Sequence, residues 1–256
     1  MSLSSPAVDP AKFVTGVVVD RREVSSELWV VRVRPSERIA FQPGQYITAG
    51  LPGPARMVER PYSVVSSPEE PELEFFLELV PEGQLTPQLY SVPVGGEVFL
   101  RRLAKGRFVL DQTSGHPNHF LVATVTGIAP YVSMARRRAA SGGPANLQLA
   151  ILQGASLPHE LGYREELERL EAAHDWLRYI PTVSRPWLTP SWQGEKGRVE
   201  DVARKYLDAF DFTPDTTTAY VCGNPDMIEN MKGLLKRAGF PKESVKEEVY
   251  WHAEKE

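Results

Sequence analysis

Apolar and polar positions change rhythm near the middle of the chain. In the first part, short β-branched or aromatic runs occupy residues 13–19, 28–33, 45–48, 62–65, 73–80 and 97–100. Turn-forming residues such as Pro43-Gly44, Pro52-Gly53-Pro54 and Gly95-Gly96 separate them. Short strands at this spacing predict an antiparallel barrel or sandwich, with one helical turn at 85–91 interrupting it. A polar, turn-rich stretch at 111–118 reads as a domain junction. Beyond it, buried runs at 119–123, 147–152, 177–183 and 217–222 are each followed by helical spacing, at 129–140, 161–173, 199–210 and 225–238. In the second of these helices Leu167 and Leu170 share a face, while Glu165, Glu166, Glu168 and Arg169 coat the other. Strands alternating with helices predict a parallel sheet covered on both faces. The expected fold is therefore a two-domain α+β chain. An antiparallel β-barrel over residues 1–112 precedes an α/β parallel-sheet domain over residues 113–256.

Composition narrows the function classes. Apolar residues make up 42% and charged ones 24% of 256 residues, ordinary values for a globular protein. A net charge of −4 exerts no global pull toward nucleic acid or anionic membranes. No apolar run approaches the roughly 18 residues of a membrane span, and the N-terminal residues lack the pattern of an export signal. The lone cysteine, Cys222, excludes an intrachain disulfide, and also a Cys-ligated iron–sulfur cluster or zinc site built from this chain alone. The histidines, at 116, 119, 159, 174 and 252, form no metal-ligand spacing. A soluble, cytoplasmic, monomeric protein is expected.

Four short stretches carry candidate chemistry. In Arg60-Pro61-Tyr62-Ser63, Pro61 marks an edge strand. Arg60 offers a fork for phosphate, Tyr62 a flat ring, and Ser63 a hydroxyl that donates and accepts. From the tetrapeptide alone an ordinary barrel strand with an exposed arginine is the better reading. Gly83-Gln84-Leu85-Thr86 opens the short helix. Its glycine and helix start suit an anion, and a plain turn capped by Thr86 is the structural alternative. Thr126-Gly127-Ile128-Ala129-Pro130 joins a strand to a helix. Pro130 fits the first helical turn, and Gly127 lets a diphosphate approach the backbone. Cys222-Gly223-Asn224-Pro225 closes the last main strand. It lies with Ser184-Arg185 at the carboxyl ends of strands, where open parallel sheets bind ligands. A buried structural thiol is the alternative for Cys222.

Taken together and in this order, the stretches resemble the ferredoxin–NADP reductase family, in particular its bacterial ferredoxin/flavodoxin reductases. Arg60 to Ser63 is similar to that family's Arg-x-Tyr-Ser flavin motif. Leu73-Glu74-Phe75-Phe76-Leu77, with Val80-Pro81-Glu82-Gly83-Gln84-Leu85-Thr86, resembles the next flavin-contacting stretch. Thr126 to Pro130 and Cys222 to Pro225 resemble the family's Thr-Gly-Ile-Ala-Pro and Cys-Gly-Asn-Pro turns. Glu248-Val249-Tyr250-Trp251 resembles its aromatic C-terminus. The resemblance implies FAD against the barrel, its diphosphate held by Arg60 and by the turn from Gln84 to Thr86. Tyr62 and Tyr250 would cover the two ring faces, Trp251 would lie near the adenine, and Ser63 near the flavin nitrogen that accepts hydride. NADPH would lie along the second domain, its diphosphate at Thr126 and Gly127 and its nicotinamide near Cys222, with Glu248 positioning that ring. Ser184, Arg185 and Arg198 would read the 2′-phosphate.

The sequence departs from the family where Val125 stands in place of a frequent glycine. It departs again at Gly154-Ala155-Ser156, which lacks an arginine common in bacterial members, and in the tail beyond Trp251. The implied activity is electron exchange between NADPH and a ferredoxin or flavodoxin, with Arg101, Arg102, Lys105 and Arg107 as candidate docking cations. The reductase component of an oxygenase system and a non-enzymatic flavin-binding module on the same fold are the alternatives.

Overall fold

The alternating run that opens the chain becomes β1 (Phe13–Glu23), which buries Val14 and Val18 and turns Val17 outward. It pairs antiparallel with β2 (Leu28–Pro35) through a bulge after Val18. The computed structural model describes residues 8–250, and the chain divides into two units, Met1–Val109 and Leu110–Glu256.

The first unit continues with β3 (Tyr46–Pro52), β4 (Met57–Ser63), β5 (Leu73–Glu78), helix α1 (Thr86–Tyr90) and β6 (Glu97–Arg101). Its sheet has the order β4-β3-β6-β1-β2-β5, with every neighbouring pair antiparallel. The two ends of the sheet meet. Just past β4, the Val65 N–H donates to the Glu74 carbonyl at 2.8 Å, and the Glu74 N–H donates to Ser66 Oγ at 3.2 Å. The sheet thereby closes into the expected barrel, filled by Val14, Trp29, Val33, Ile47, Phe75, Leu77 and Leu100. Helix α1 covers part of that core, with the Tyr90 ring edge-on to Trp29 at 5.0 Å.

The second unit contains β7 (Asn118–Thr124), α2 (Ala129–Ser141), β8 (Gln148–Ala155), α3 (Arg164–Ala173) and β9 (Leu177–Val183). It ends with β10 (Glu195–Lys196), α4 (Val199–Ala209), β11 (Thr217–Gly223), α5 (Pro225–Arg237) and β12 (Val245–Val249). All pairs in the sheet β10-β9-β8-β7-β11-β12 are parallel. Phe120, Val122, Leu152 and Val221 form one face of the core with α4 and α5. The alternate residues Leu121 and Ile151 point to the other face. There Arg136 of α2 forms a two-pronged ion pair with Glu166 of α3, at 2.7 and 2.9 Å. The chain leaves β7 toward β8 and later returns to pair β11 on the opposite side. The β7/β11 boundary is thus the topological switch point, the usual place for a ligand crevice.

At the opposite, amino end of these strands lies a buried polar cluster. His119 is fully buried, with Nδ1 3.2 Å from the Tyr220 hydroxyl, which accepts the Asp111 N–H at 2.7 Å. His119 Nε2 has no hydrogen-bond partner among the described residues. Burial pushes the imidazole down to about 4, against a partly offsetting pull from Asp111.

The expected strand at 62–65 is a correction. The strand is β4, and only Tyr62 and Ser63 of the expected run belong to it; Val64 and Val65 leave the ladder yet stay fully buried. The helix expected from 161 starts at Arg164 because Tyr163 takes a left-handed turn, φ +64°, ahead of it.

Candidate functional site

In the first unit β4 is a terminal strand, so Pro61, opposite Thr48, breaks no second ladder. Arg60 is exposed and donates to the carbonyl of its own neighbour, Glu59, at 2.8 Å. The Glu59 carboxylate is held by Arg101 at 2.6 and 2.8 Å. Arg60 therefore keeps its guanidinium at the surface, next to Tyr62. The Tyr62 ring leans on the barrel core, 6.4 Å from Phe75, and burial raises its phenol above the ordinary range, so it stays neutral. Its hydroxyl is buried with no hydrogen-bond partner among the described residues. Leaving such a group unpaired costs about 1–3 kcal/mol, a cost that a ligand oxygen would remove. A phosphate-binding fork, a flat ring with an unpaired hydroxyl and the buried Ser63 on one strand fit a flavin nucleotide.

The next stretch is divided. Phe75 and Leu77 point into the barrel core, so their side chains serve packing, while the Glu74 carboxylate lies 3.7 Å from Arg32. Phe76 is also buried. Gly83 closes a turn onto the Val80 carbonyl at 2.8 Å. The helix cap is Leu85 and not Thr86. The Thr86 hydroxyl instead turns back to accept the Val80 N–H at 3.0 Å, which leaves Gln84 exposed at the turn.

In the second unit the 3₁₀ turn Val125–Ile128 leads from β7 into α2, where Pro130 occupies the first turn. Val125 has φ +44°. For a β-branched residue this left-handed backbone costs about 1–2 kcal/mol, which explains why glycine suits the position. Val125 packs beside Ala155, Leu161, Val183 and Trp192. Gly127 is required by close approach, because a Cβ there would collide with the carbonyl of Cys222. Gly223 has φ +123°, and a Cβ would meet Thr124 Oγ1. These two contacts bring the turn after β7 onto the end of β11.

Cys222, Glu248, Tyr250 and Thr126 converge there. Cys222 pairs with Glu248 in the β11–β12 register. The Tyr250 hydroxyl donates to the Thr126 carbonyl at 3.4 Å and hydrogen-bonds the Cys222 thiol. Burial, reinforced by Glu248, pushes that thiol well above its ordinary range, so it is neutral and no nucleophile. Asn224 caps α5, its carbonyl accepting from Asp226 N–H at 2.9 Å and Met227 N–H at 3.2 Å, with Pro225 in the first turn. Sequence reasoning missed Thr124, whose Oγ1 accepts the Asn224 N–H at 2.9 Å and locks the two strand ends together. A threonine ending a strand just before a glycine-bearing turn was the available signal.

Farther along the same edge, the Ser184 N–H donates to the Ala155 carbonyl at 3.0 Å and the Arg185 N–H to Ser156 at 3.1 Å. Thr182 Oγ1 donates to the Gly197 carbonyl at 2.8 Å. Val183 lies opposite Lys196, so Arg185 and Arg198 each follow the carboxyl end of one of two neighbouring strands. Arg185 is exposed and makes no ion pair among the described residues; Arg198 reaches Glu200 only at 3.9 Å. Trp251 lies outside the described residues. Those residues contain no helix long and apolar enough to cross a membrane, and no cluster of metal-binding side chains.

Residues 15–108 match the oxidoreductase FAD-binding domain, and residues 121–233 the oxidoreductase NAD-binding domain. The class is thus an oxidoreductase with a flavin-binding unit followed by a nicotinamide-nucleotide-binding unit. The chain is 31% identical over 227 residues to the flavodoxin/ferredoxin–NADP reductase of Escherichia coli (strain K12), covering 86% of this chain and 88% of that one. It is 33% identical over 215 residues to ferredoxin–NADP reductase B of Sorangium cellulosum (strain So ce56), covering 82% and 85%. In fold it is similar to a ferredoxin NADP⁺ reductase from Neisseria gonorrhoeae crystallised with FAD and NADP. The TM-score is 0.83, with 21% identity and coverage of 94% of this chain and 99% of that one. This chain belongs to the ferredoxin–NADP reductase family.

Proposed function

We propose that the chain exchanges electrons between NADPH and a ferredoxin or flavodoxin, using FAD held by its first unit. The observation that carries this reading is the meeting of Thr126, Cys222, Glu248 and Tyr250 at the switch point of a parallel sheet. FAD, when bound, supplies the redox chemistry, taking two electrons as hydride and releasing them singly. Arg60 and the turn from Gly83 to Thr86 hold its diphosphate, and Tyr62 and Ser63 hold its ring side. The backbone at Thr126 and Gly127 receives the diphosphate of NADPH. The neutral Cys222 offers an uncharged surface to the nicotinamide, and Glu248 a carboxylate that orients its amide. Tyr250, bonded to both Thr126 and Cys222, must yield before the ring settles there.

Two exposed guanidiniums just past the ends of neighbouring strands, Arg185 and Arg198, support a preference for the 2′-phosphate over its absence. Arg185→Ala is expected to raise the KM for NADPH about tenfold, the value of one charge-assisted contact, and to leave NADH nearly untouched. Equal effects on both cofactors, measured at steady state, refute the assignment.

The docking cations need revision from the sequence reading. Arg101 is held by Glu59, and Arg102 by Glu37 at 2.6 Å and by the Pro10 carbonyl. Lys105 and Arg107 are exposed and make no ion pair among the described residues, so they are the cations that remain for an acidic carrier. Carrier reduction by the FAD-loaded protein should slow as salt rises from low to moderate strength. The Lys105→Ala/Arg107→Ala variant should flatten that dependence. A salt-independent rate in the parent sinks the charge-steered dock. In this reading the chain works as a cytoplasmic monomer, which sedimentation of the purified protein checks.

A further inference from the structure

Val125 is the first residue of the 3₁₀ turn that leads from β7 into α2, and its φ is +44°. Among the described residues, three other than glycine take a positive φ, Val125, Tyr163 and Asp211, and Val125 alone of these is β-branched. Branching at Cβ makes such a backbone unfavourable, so it persists only where the surroundings hold it. Here the holding group is visible. Thr124 lies opposite Gly154 in the β7–β8 register, which brings Val125 to the carboxyl end of β8. There its half-buried side chain packs against Ala155, Leu161, Val183 and Trp192. Ala155 and Val183 are the paired last residues of β8 and β9. Trp192 is fixed through Nε1–H to the Glu195 carbonyl at 2.8 Å, with the Arg164 guanidinium 4.8 Å from its ring. Two residues on, Gly127 sits where a Cβ would collide with the Cys222 carbonyl of β11. The turn is thus clamped twice, at Val125 by an apolar side chain and at Gly127 by the lack of one.

We propose that Val125 is a positioning residue for the nicotinamide nucleotide: packing of its side chain holds the left-handed entry that aims the backbone of Thr126 and Gly127 at the diphosphate. This role rests on the assignment of the diphosphate to those two residues. Val125 acts through the backbone that follows it, which includes the Thr126 carbonyl that accepts the Tyr250 hydroxyl at 3.4 Å. A turn already set costs a ligand less to bind than one it must first order. Two opposed effects separate the substitutions. Alanine keeps a Cβ, and with it the backbone penalty, but lacks the methyls whose packing offsets it, so the turn relaxes away from a positive φ. Glycine lacks the methyls too, yet takes a positive φ without penalty. Nucleotide affinity should therefore fall in the order Val, Gly, Ala, whereas lost packing alone gives Val, Ala, Gly.

The test uses the FAD-loaded protein, titrated with NADP⁺ and with adenosine 2′-monophosphate, which has no diphosphate. Val125→Ala should bind NADP⁺ about tenfold more weakly, the size of a left-handed penalty that packing no longer offsets. Val125→Gly should stay within about threefold of the parent, and Val125→Ile, which keeps a branched apolar side chain, within about twofold. All three should keep the parent's affinity for adenosine 2′-monophosphate. At steady state, Val125→Ala should raise the KM for NADPH and for NADH by the same factor, with the loss in kcat/KM carried by KM. A glycine variant that binds NADP⁺ more weakly than the alanine variant overturns the proposal. So does an equal loss of adenosine 2′-monophosphate, which would mean a disturbed fold. The amide resonances of Thr126 and Gly127 in the parent separate the two levels. If they shift with NADP⁺ while the alanine variant binds it as the parent does, only the role of Val125 falls. If they do not shift, the diphosphate lies elsewhere and both assignments fall.

Discussion

Arg60→Ala is expected to raise the dissociation constant of FAD about 30-fold, equivalent to about 2 kcal/mol for a charge-assisted contact to phosphate. The side chain is free to make that contact. It is exposed, and its hydrogen bond is to the carbonyl of the preceding residue, while the nearby Glu59 carboxylate is taken by Arg101. Arg60 therefore has no ion pair among the described residues to give up on binding. Because it packs against nothing in the core, its removal should leave the barrel's unfolding midpoint in place. Fluorescence titration of the FAD-free protein with FAD measures the effect, and an unchanged constant would move the diphosphate away from β4. Arg60→Lys keeps the charge but not the fork, and it should fall between the two.

Much of the fold was legible because burial on both faces leaves a plain signal. The run at 177–183 emerges as β9 over the same residues, since a parallel strand covered by helices is apolar almost throughout. What escaped were edges. In β4, Met57 to Pro61 mixes glutamate, arginine and proline and has no period of two, because a terminal strand answers to one neighbour only. In β12, Lys246, Glu247 and Glu248 interrupt the apolar pattern for the same reason; Lys246 pairs with Asp111 at 3.2 Å and Glu247 with Lys232 at 2.8 Å. Pairing with β11 is decided by backbone hydrogen bonds that no side-chain pattern records.

The candidate site was legible as motifs and not as causes. Gly127 was read as room for a diphosphate, and the structure gives it a packing reason, the carbonyl of Cys222. Asn224 was taken with a binding turn, and its carbonyl is engaged as the cap of α5. Such residues shape the site by holding two strand ends at a fixed distance. That is a three-dimensional constraint, invisible until β7 and β11 are known to be neighbours.

His119 should make the second unit acid-sensitive in a window above that of ordinary carboxylates. In the folded chain burial holds its imidazole near 4, against 6.5 for the unfolded residue. A group depressed in this way binds its proton more readily when unfolded. Its contribution to stability is complete above pH 6.5 and is lost as pH falls from 6.5 toward 4, up to about 3 kcal/mol over the interval. Asp111 acts in a separate window. The Thr113 hydroxyl first, and then backbone N–H groups and Lys246, hold its carboxyl below the usual range, so its contribution fades only as pH drops below about 3.8. Urea unfolding between pH 7 and 4.5 should therefore show stability falling at up to about 1.4 kcal/mol per pH unit from this one proton. His119→Phe replaces the ring without the titrating nitrogens. It keeps the contact with Tyr220 but gives up the hydrogen bond to the Tyr220 hydroxyl. The variant should be less stable at pH 7, yet it should lose less on acidification, so the two curves converge as pH falls. Parallel curves would mean that the buried imidazole is not the source of the slope.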